Sequence, residues 1–475
     1  MYDVAIIGGG VIGSMLARQL SKYQLKICVL EKENDVAMGA SKANSGIVHG
    51  GFDPEPGTLK AALNSVGVEK LFTVAKELNA PIKRNGSLVC AFGADEESAI
   101  NELYERGIKN GINGMSVISG DEARKLEPAL SPEVTLALHV PTAGIVCPYE
   151  LTLAAIGNAM DNGVKLIRNF KVASIKKSEN FTITSEKGEN VTAKFVVNCA
   201  GAYSDKIAAM IGDDFFKIIP RAGEYMLLDK TAGSIVSHTI FQVPSKEGKG
   251  ILVSPTVDGN LLTGPTAGVV ESPLSTETTH EGLKTVEKLS KKSVPSVNFR
   301  KVITSFSGVR SSEKNGDFII KISEKAENFL NLAAIDSPGL TCSVSIADYA
   351  VEILSKNGLA LNEKADFNPN RPDPHAFKKM TDEEKDAFIK KNPTYGRIVC
   401  RCEGVSEGEI RAAVTTNPKA LDIDSVKRRT RSGMGRCQGG FCMPYVMRII
   451  SEETGIPMEK ITKKGEGSEQ LIGRI

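Results

Sequence analysis

The sequence predicts a mixed α/β and α+β chain in three parts, and three observations carry that expectation. At the start, the buried-strand pattern DVAIIGGG runs through glycines into a helix pattern, VIGSMLARQLSKY, and then into a second strand, LKICVLEKE. From Arg221 to Arg310 apolar and polar residues alternate, as in EYMLLD, GILVSP and GNLLTG, which predicts an antiparallel sheet with one solvated or ligand-facing side. Near the C-terminus four cysteines stand in two close pairs within a small unit that begins at Ile398.

The remaining elements follow in order. The stretch from about Val74 to Leu138 is helical and mixed. VKLIRNFKVASIKKSENFTITSEKGENVTAKFVVNCAG reads as several short strands closing on one that ends at Gly201. DFIIKI and NFLNLAAID return to buried strands, and SVSIADYAVEILSKNG is a helix. The segment at 361–396 carries four prolines and many charges, so it reads as a linker with one short helix.

Composition bounds the function. A chain of 475 residues, 41% of them hydrophobic, can bury more than one core. Lys and Arg, 59 together, nearly balance 57 Asp and Glu, so no global field draws the chain to nucleic acid. No apolar run approaches the roughly 20 residues of a membrane span, which leaves peripheral association as the membrane contact to consider. Met1 leads straight into a strand pattern with no basic segment or cleavage site, so export is not expected. Nine cysteines, an odd number, fit a reducing cytoplasm better than a disulfide scaffold. Cys28, Cys90, Cys147, Cys199 and Cys342 sit among apolar neighbours and read as small buried hydrophobes.

Gly8, Gly10 and Gly13 form G-x-G-x-x-G between the first strand and the first helix, and Glu31 closes the second strand. One glycine permits the turn, one lets the backbone approach a pyrophosphate, and one lets helix and strand pack closely. The helix N-terminus offers N–H groups and partial positive charge to phosphates, and Glu31 can accept from a ribose. The pattern predicts a Rossmann-like dinucleotide site, against the plain alternative of a tight turn. It does not separate FAD from NAD, but no second fingerprint of this form is visible. The following run, GASKANSGIVHGGFDPEPGTLKA, is dense in Gly, Ser and Asn, which lets backbone press against a flat ring system and suits FAD.

MYDVAIIGGGVIGSMLARQLS, NSGIVHGGFDPEPGTLKA, GKGILVSPTVDGNLLTGPT, SFSGVR and SPGLT together resemble the FAD-dependent glycerol-3-phosphate dehydrogenase and oxidase group of the D-amino-acid-oxidase-like superfamily, over about residues 1–360. The resemblance implies a Rossmann-like FAD-binding domain from segments at about 1–75, 145–220 and 320–360. It also implies a substrate domain, about 76–144 and 221–319, whose antiparallel sheet roofs the flavin. Expected cofactor contacts are Gly8, Gly10, Val11, Ile12, Gly13, Glu31, Lys32, Ser41, Asn44, Ser45, Gly46, Val172, Ala200 and Gly201, with Ser337, Gly339, Leu340 and Thr341 beside the isoalloxazine.

His49 lies in the NSGIVHGG run, and an imidazole titrating near neutrality can take a hydroxyl proton while hydride leaves for the flavin. The plain alternative is a histidine that only hydrogen-bonds the flavin or the loop; the family's histidine in this motif sits by the flavin in the catalytic centre. Lys249 and Arg310, each an ordinary exposed cation by base rate, match basic residues at the substrate site of similar oxidases, where they hold an anionic head. Arg310 is followed by Ser311, where some relatives have proline.

Cys400 and Cys402 form C-x-C, and Cys437 and Cys442 form C-x-x-x-x-C. Four thiolates in two pairs is the number a [2Fe-2S] cluster requires. Ser406 with Glu409 reads as a capping box after the first pair, and FCMPYVMRIISEE as a helix opening at the second, so two helix N-termini can face an anionic cluster. Arg401, Lys427, Arg428, Arg429, Arg431 and Arg436 add positive charge. Zinc, a redox disulfide between Cys437 and Cys442, or a nucleic-acid patch remain as alternatives. Over about residues 397–450 the unit resembles the bacterioferritin-associated-ferredoxin-like [2Fe-2S] domain, which implies a small helical four-cysteine domain at 397–455 and a tail at 456–475.

The resemblances imply oxidation of sn-glycerol 3-phosphate to dihydroxyacetone phosphate, a small anionic substrate. Electrons would pass by FAD and a [2Fe-2S] cluster to an electron-acceptor protein or subunit. Two other readings stand beside it: a 2-hydroxyglutarate-like 2-hydroxy acid or amino acid dehydrogenase, and a redox-responsive subunit without turnover.

Overall fold

The computed structural model describes residues 1–244 and 250–473. Strand β1 (Tyr2–Ile7) lies inside an eight-stranded sheet, flanked in parallel by Asn190–Asn198 and by β2 (Ile27–Leu30). β2 pairs in parallel with Lys165–Ile167, and Asn190–Asn198 with Phe329–Ala333. The alternative edge is antiparallel, through Phe181–Ser185 and Val172–Lys177. Helix α1 (Val11–Leu20) follows β1 directly and packs beside the helices Pro148–Asp161 and Ser343–Lys356. Leu16, Leu20, Ile156, Ile346 and Leu354 are buried in that layer, each side chain contributing about 1.5–3 kcal/mol by leaving water. Phe170, Phe181 and Phe329 fill the opposite face.

A nine-stranded sheet forms the second layer. Its two long strands, Ile219–Leu228 and Val302–Ser312, pair antiparallel, with Arg221 directly opposite Arg310. One pairing departs from the antiparallel expectation: Ser87–Ala91 runs parallel to Thr239–Gln242. These strands are far apart in sequence, so no hairpin turn dictates their sense.

In the C-terminal unit the strands Ile398–Cys400 and Val405–Ser406 pair antiparallel. The helices Glu407–Thr415, Ile423–Thr430 and Met443–Thr454 enclose Val405, Ile410, Val426, Val446 and Ile450. The Ser406 hydroxyl accepts from the Glu409 N–H at 3.3 Å while the Glu409 carboxylate accepts from the Ser406 N–H at 2.8 Å. That reciprocal cap is worth about 1 kcal/mol and fixes where the first helix begins after Cys402.

The segment at 361–396 holds the short helices Ala376–Lys379 and Asp382–Lys391 and lies against the larger part. Asn158 Nδ2 donates to the Asn368 carbonyl at 3.0 Å, and Arg371 Nη2 to the Asn417 carbonyl at 2.5 Å. Among the described residues no helix is long and apolar enough to cross a membrane.

Candidate active site and cysteine centre

A cleft of about 2080 Å³ opens between the two sheets. At its floor Gly8 takes φ +112°, and a Cβ there would meet the Cys199 carbonyl oxygen at 2.4 Å; a Cβ on Gly13 would meet the Gly8 oxygen at 2.0 Å. The turn and the close helix packing therefore both require glycine. Gly10 caps α1 without a side-chain hydrogen bond, and the Val11 N–H donates to Ser41 Oγ at 2.9 Å. Glu31 is buried behind this turn, accepting from the Gly9 N–H at 2.7 Å and the Glu33 N–H at 2.9 Å. Burial pushes its carboxyl up to about 7 against those two bonds.

The cleft wall brings together Gly8, Gly10, Val11, Ile12, Glu31, Lys32, Ser41, Asn44, Ser45, His49, Val172, Ala200, Gly201, Arg310, Ser337, Gly339 and Leu340. Three of the expected contacts are not in it. Gly13 serves helix packing, Gly46 is pressed against the Val146 carbonyl, and Thr341 is fully buried. Thr341 instead positions the histidine loop: its Oγ1 accepts from the His49 N–H at 2.9 Å and donates to the Ile47 carbonyl at 3.3 Å. Lys249 lies outside the described residues.

The His49 ring stacks on Phe241 with centroids 6.0 Å apart, and its Nε2 lies 3.2 Å from Ser337 Oγ. Arg310 Nη2 donates to the Thr266 carbonyl at 3.3 Å, in space left by Gly223, where a Cβ would sit 2.7 Å from that nitrogen. Ser311 Oγ donates to the Ile335 carbonyl at 3.2 Å, tying the arginine strand to the segment that carries Ser337. Arg221 also lines the cleft and donates to the Ala267 carbonyl at 3.3 Å. Sequence reading passed over Arg221: its pairing with Arg310 is a matter of strand register, and the only local signal was its place just before the EYMLLD alternation.

In the cysteine unit Cys400 and Cys442 are buried and Cys402 is exposed. Cys402 Sγ and Cys437 Sγ are 3.5 Å apart. The Cys442 thiol lowers its neighbour Cys400, with the N–H groups of Gly433 and Glu403 and the Ser432 hydroxyl helping against burial. Burial would raise Cys437, but the Cys402 thiol and the N–H groups of Gly439, Phe441 and Gly440 outweigh it. Donors thus converge on the sulfurs, as an anionic centre needs. Among the described residues no three of these sulfurs come within 4.8 Å of one another. Two sulfur pairs suit two irons better than one tetrahedral zinc.

The expected halo of positive charge is only partly there. Arg428 and Arg429 turn away to grip the buried Asp35 at 2.6 and 2.9 Å, and Arg431 pairs with Asp258 at 2.6 Å and Glu403 at 2.9 Å. A buried guanidinium is tolerated only beside a counter-charge, so these arginines join the domains. Arg401 and Arg436 stay exposed near the thiols.

A cradle for a dinucleotide and ring system, joined in one chain to a four-thiolate centre, defines a flavin- and iron-sulfur-type redox protein. Residues 3–353 match the family model of FAD dependent oxidoreductases, and residues 398–452 match the BFD-like [2Fe-2S] binding domain. The chain is 44% identical to glycerol 3-phosphate dehydrogenase of Caloramator mitchellensis over 100% of its own length and 98% of that protein. The structure of dithionite-reduced L-alpha-glycerophosphate oxidase from Mycoplasma pneumoniae with FAD bound matches at TM-score 0.75 and 33% identity, covering 78% of this chain and 98% of that one. Human mitochondrial L-2-hydroxyglutarate dehydrogenase is 31% identical over 56% of this chain and 61% of its own length. The chain belongs to the FAD-dependent oxidoreductase family; its cofactors are FAD and a [2Fe-2S] cluster.

Proposed function

We propose that the chain oxidises sn-glycerol 3-phosphate to dihydroxyacetone phosphate and passes the electrons through its [2Fe-2S] cluster to a separate acceptor. One observation carries the substrate reading: Arg221 and Arg310 face each other across adjacent strands in the roof of the cleft that also holds His49. Like charges directly opposite on a sheet repel, and a doubly charged phosphate between them turns that cost into attraction. The full-length likeness to a glycerol 3-phosphate dehydrogenase supports the same choice.

In this reading the two guanidiniums hold the phosphate, and the carbinol lies toward His49. His49 Nε2 takes the hydroxyl proton, while Ser337 and Thr341 hold the loop and ring in place. Bound FAD supplies the two-electron acceptor for the carbinol hydride. Loss of that proton and of the carbinol hydride turns the carbinol into the product carbonyl. The four cysteines would hold the one-electron centre onward.

Anaerobic addition of sn-glycerol 3-phosphate to the purified holoprotein bleaches the flavin absorbance in this reading, and L-2-hydroxyglutarate leaves it unchanged. Bleaching by the hydroxy acid alone would move the substrate to that class, and no bleaching by either would favour a subunit without turnover.

A further inference from the structure

We propose that the exposed face around the cysteine centre, built from Phe441, Tyr445, Arg401, Arg436 and Lys230, docks a one-electron carrier protein whose own redox centre is ringed by acidic residues. The proposal rests on the onward electron transfer proposed above.

The apolar part is Phe441. Its backbone N–H helps hold the Cys437 sulfur, and it directly precedes the buried Cys442, yet its side chain is 81% exposed. A phenyl ring left in water costs the burial it forgoes, and nothing in the fold of the C-terminal unit needs it there, since that unit closes its core with Val446, Ile449 and Ile450. Tyr445, in the first turn of the helix that begins after Cys442, is exposed as well. Aromatic residues of this kind are the usual anchors of a protein interface.

The rim fixes the sign of the partner. Arg401 stands between two of the cysteines and is exposed. Arg436 precedes Cys437 and pairs with Asp229; the arginine side chain is 69% exposed and the aspartate 16%. Lys230 pairs with Glu403, next to Cys402; the lysine is 44% exposed and the glutamate 3%. In both pairs the acid is the sheltered member and the base the outward one. A partner approaching Cys402, the exposed thiol, meets outward cations, and an acidic surface is steered onto them. The electron balance is simple. One substrate molecule gives up two electrons, so two molecules of a one-electron carrier are each reduced by one, and two protons go to solvent.

Photoreduced holoprotein, prepared without substrate, is mixed anaerobically in a stopped-flow with oxidised cytochrome b5, an acidic haem protein, and separately with basic cytochrome c. Each rate is divided by the same preparation's reduction of a small neutral quinone, which needs no docking. We expect the cytochrome b5 rate to fall steeply with salt and to drop at least tenfold in Phe441→Ala and in Arg401→Glu. Calorimetric affinity of the unreduced protein for cytochrome b5 falls in parallel. Lys230→Glu, on the other domain, gives the same loss if Arg401→Glu fails to retain its cluster absorbance. Variant rates equal to wild type, faster transfer to cytochrome c than to b5, or loss of a homodimer in Phe441→Ala by sedimentation would each overturn the proposal. Transfer to the quinone but not to cytochrome b5 would sink the docking face and leave the onward route standing. Because light supplies the electrons, the result does not depend on which substrate the flavin accepts.

Discussion

We expect Glu31 to set a pH threshold for binding FAD. Its carboxyl is buried in the cleft floor, and burial pushes it up to about 7 even though two backbone N–H groups hold its oxygens. In the apoprotein it is then half protonated near neutrality. Ribose hydroxyls donate best to an ionised carboxylate, so binding expels the proton. A proton released on binding means that affinity rises with pH up to about 7 and levels off above it. One unit below that point about one carboxyl in eleven is ionised, so affinity falls roughly tenfold, equivalent to about 1.4 kcal/mol. Titrating apoprotein with FAD and following the quench of flavin fluorescence from about pH 6 to 8 measures this directly. Glu31→Gln should bind at the weaker level throughout, with no slope. A flat curve for the wild type, or a slope that survives in Glu31→Gln, refutes the reasoning.

Three further outcomes follow from the same geometry. Arg221→Ala and Arg310→Ala should each lower kcat/KM for glycerol 3-phosphate by roughly 10- to 150-fold, the loss of about 1.5–3 kcal/mol from one charge-assisted contact, with KM carrying most of the change in steady-state kinetics. Asp35→Ala takes from the buried Arg428 and Arg429 the carboxylate that both grip; denaturant unfolding should show a loss of about 3–5 kcal/mol. Cys402→Ser should abolish the cluster's visible absorbance while glycerol 3-phosphate still bleaches the flavin, which separates the two centres spectroscopically.

What was legible in the sequence is what is local. The first strand, turn and helix occupy nineteen consecutive residues from Tyr2 to Leu20, so the apolar pattern and the glycine spacing within it locate them. The capping box at Ser406 and the helix opening at Cys442 are equally local. Three kinds of feature escaped. Register between Ile219–Leu228 and Val302–Ser312 set Arg221 against Arg310, and no short-range pattern records a register. Thr341 is in a motif that suggested a flavin contact, yet its hydroxyl is spent on the His49 loop. The basic run of the C-terminal unit suggested charge for the cluster, because sequence shows which residues are cationic but not which distant acids receive them.

That basic run also bears on how the two centres would communicate. Arg428 and Arg429 close on Asp35, in the loop that follows β2 and leads to Ser41 at the cleft. Arg431, a non-glycine residue at φ 68°, reaches Asp258 and Asn260 in the turn joining the roof-sheet strands Leu252–Pro255 and Leu261–Gly264, and Glu403 beside Cys402. The cysteine unit is therefore clasped to both layers of the cleft by buried ion pairs, each costly to break because either partner alone would be an unpaired charge. A carrier domain that swung between donor and acceptor would need a junction that opens cheaply, with exposed and screened contacts. This junction is the opposite kind. Electrons delivered to the cluster would leave from a fixed position, so the acceptor must come to the cysteine face, and the exposed Phe441 and the outward Arg401 stand where it would arrive.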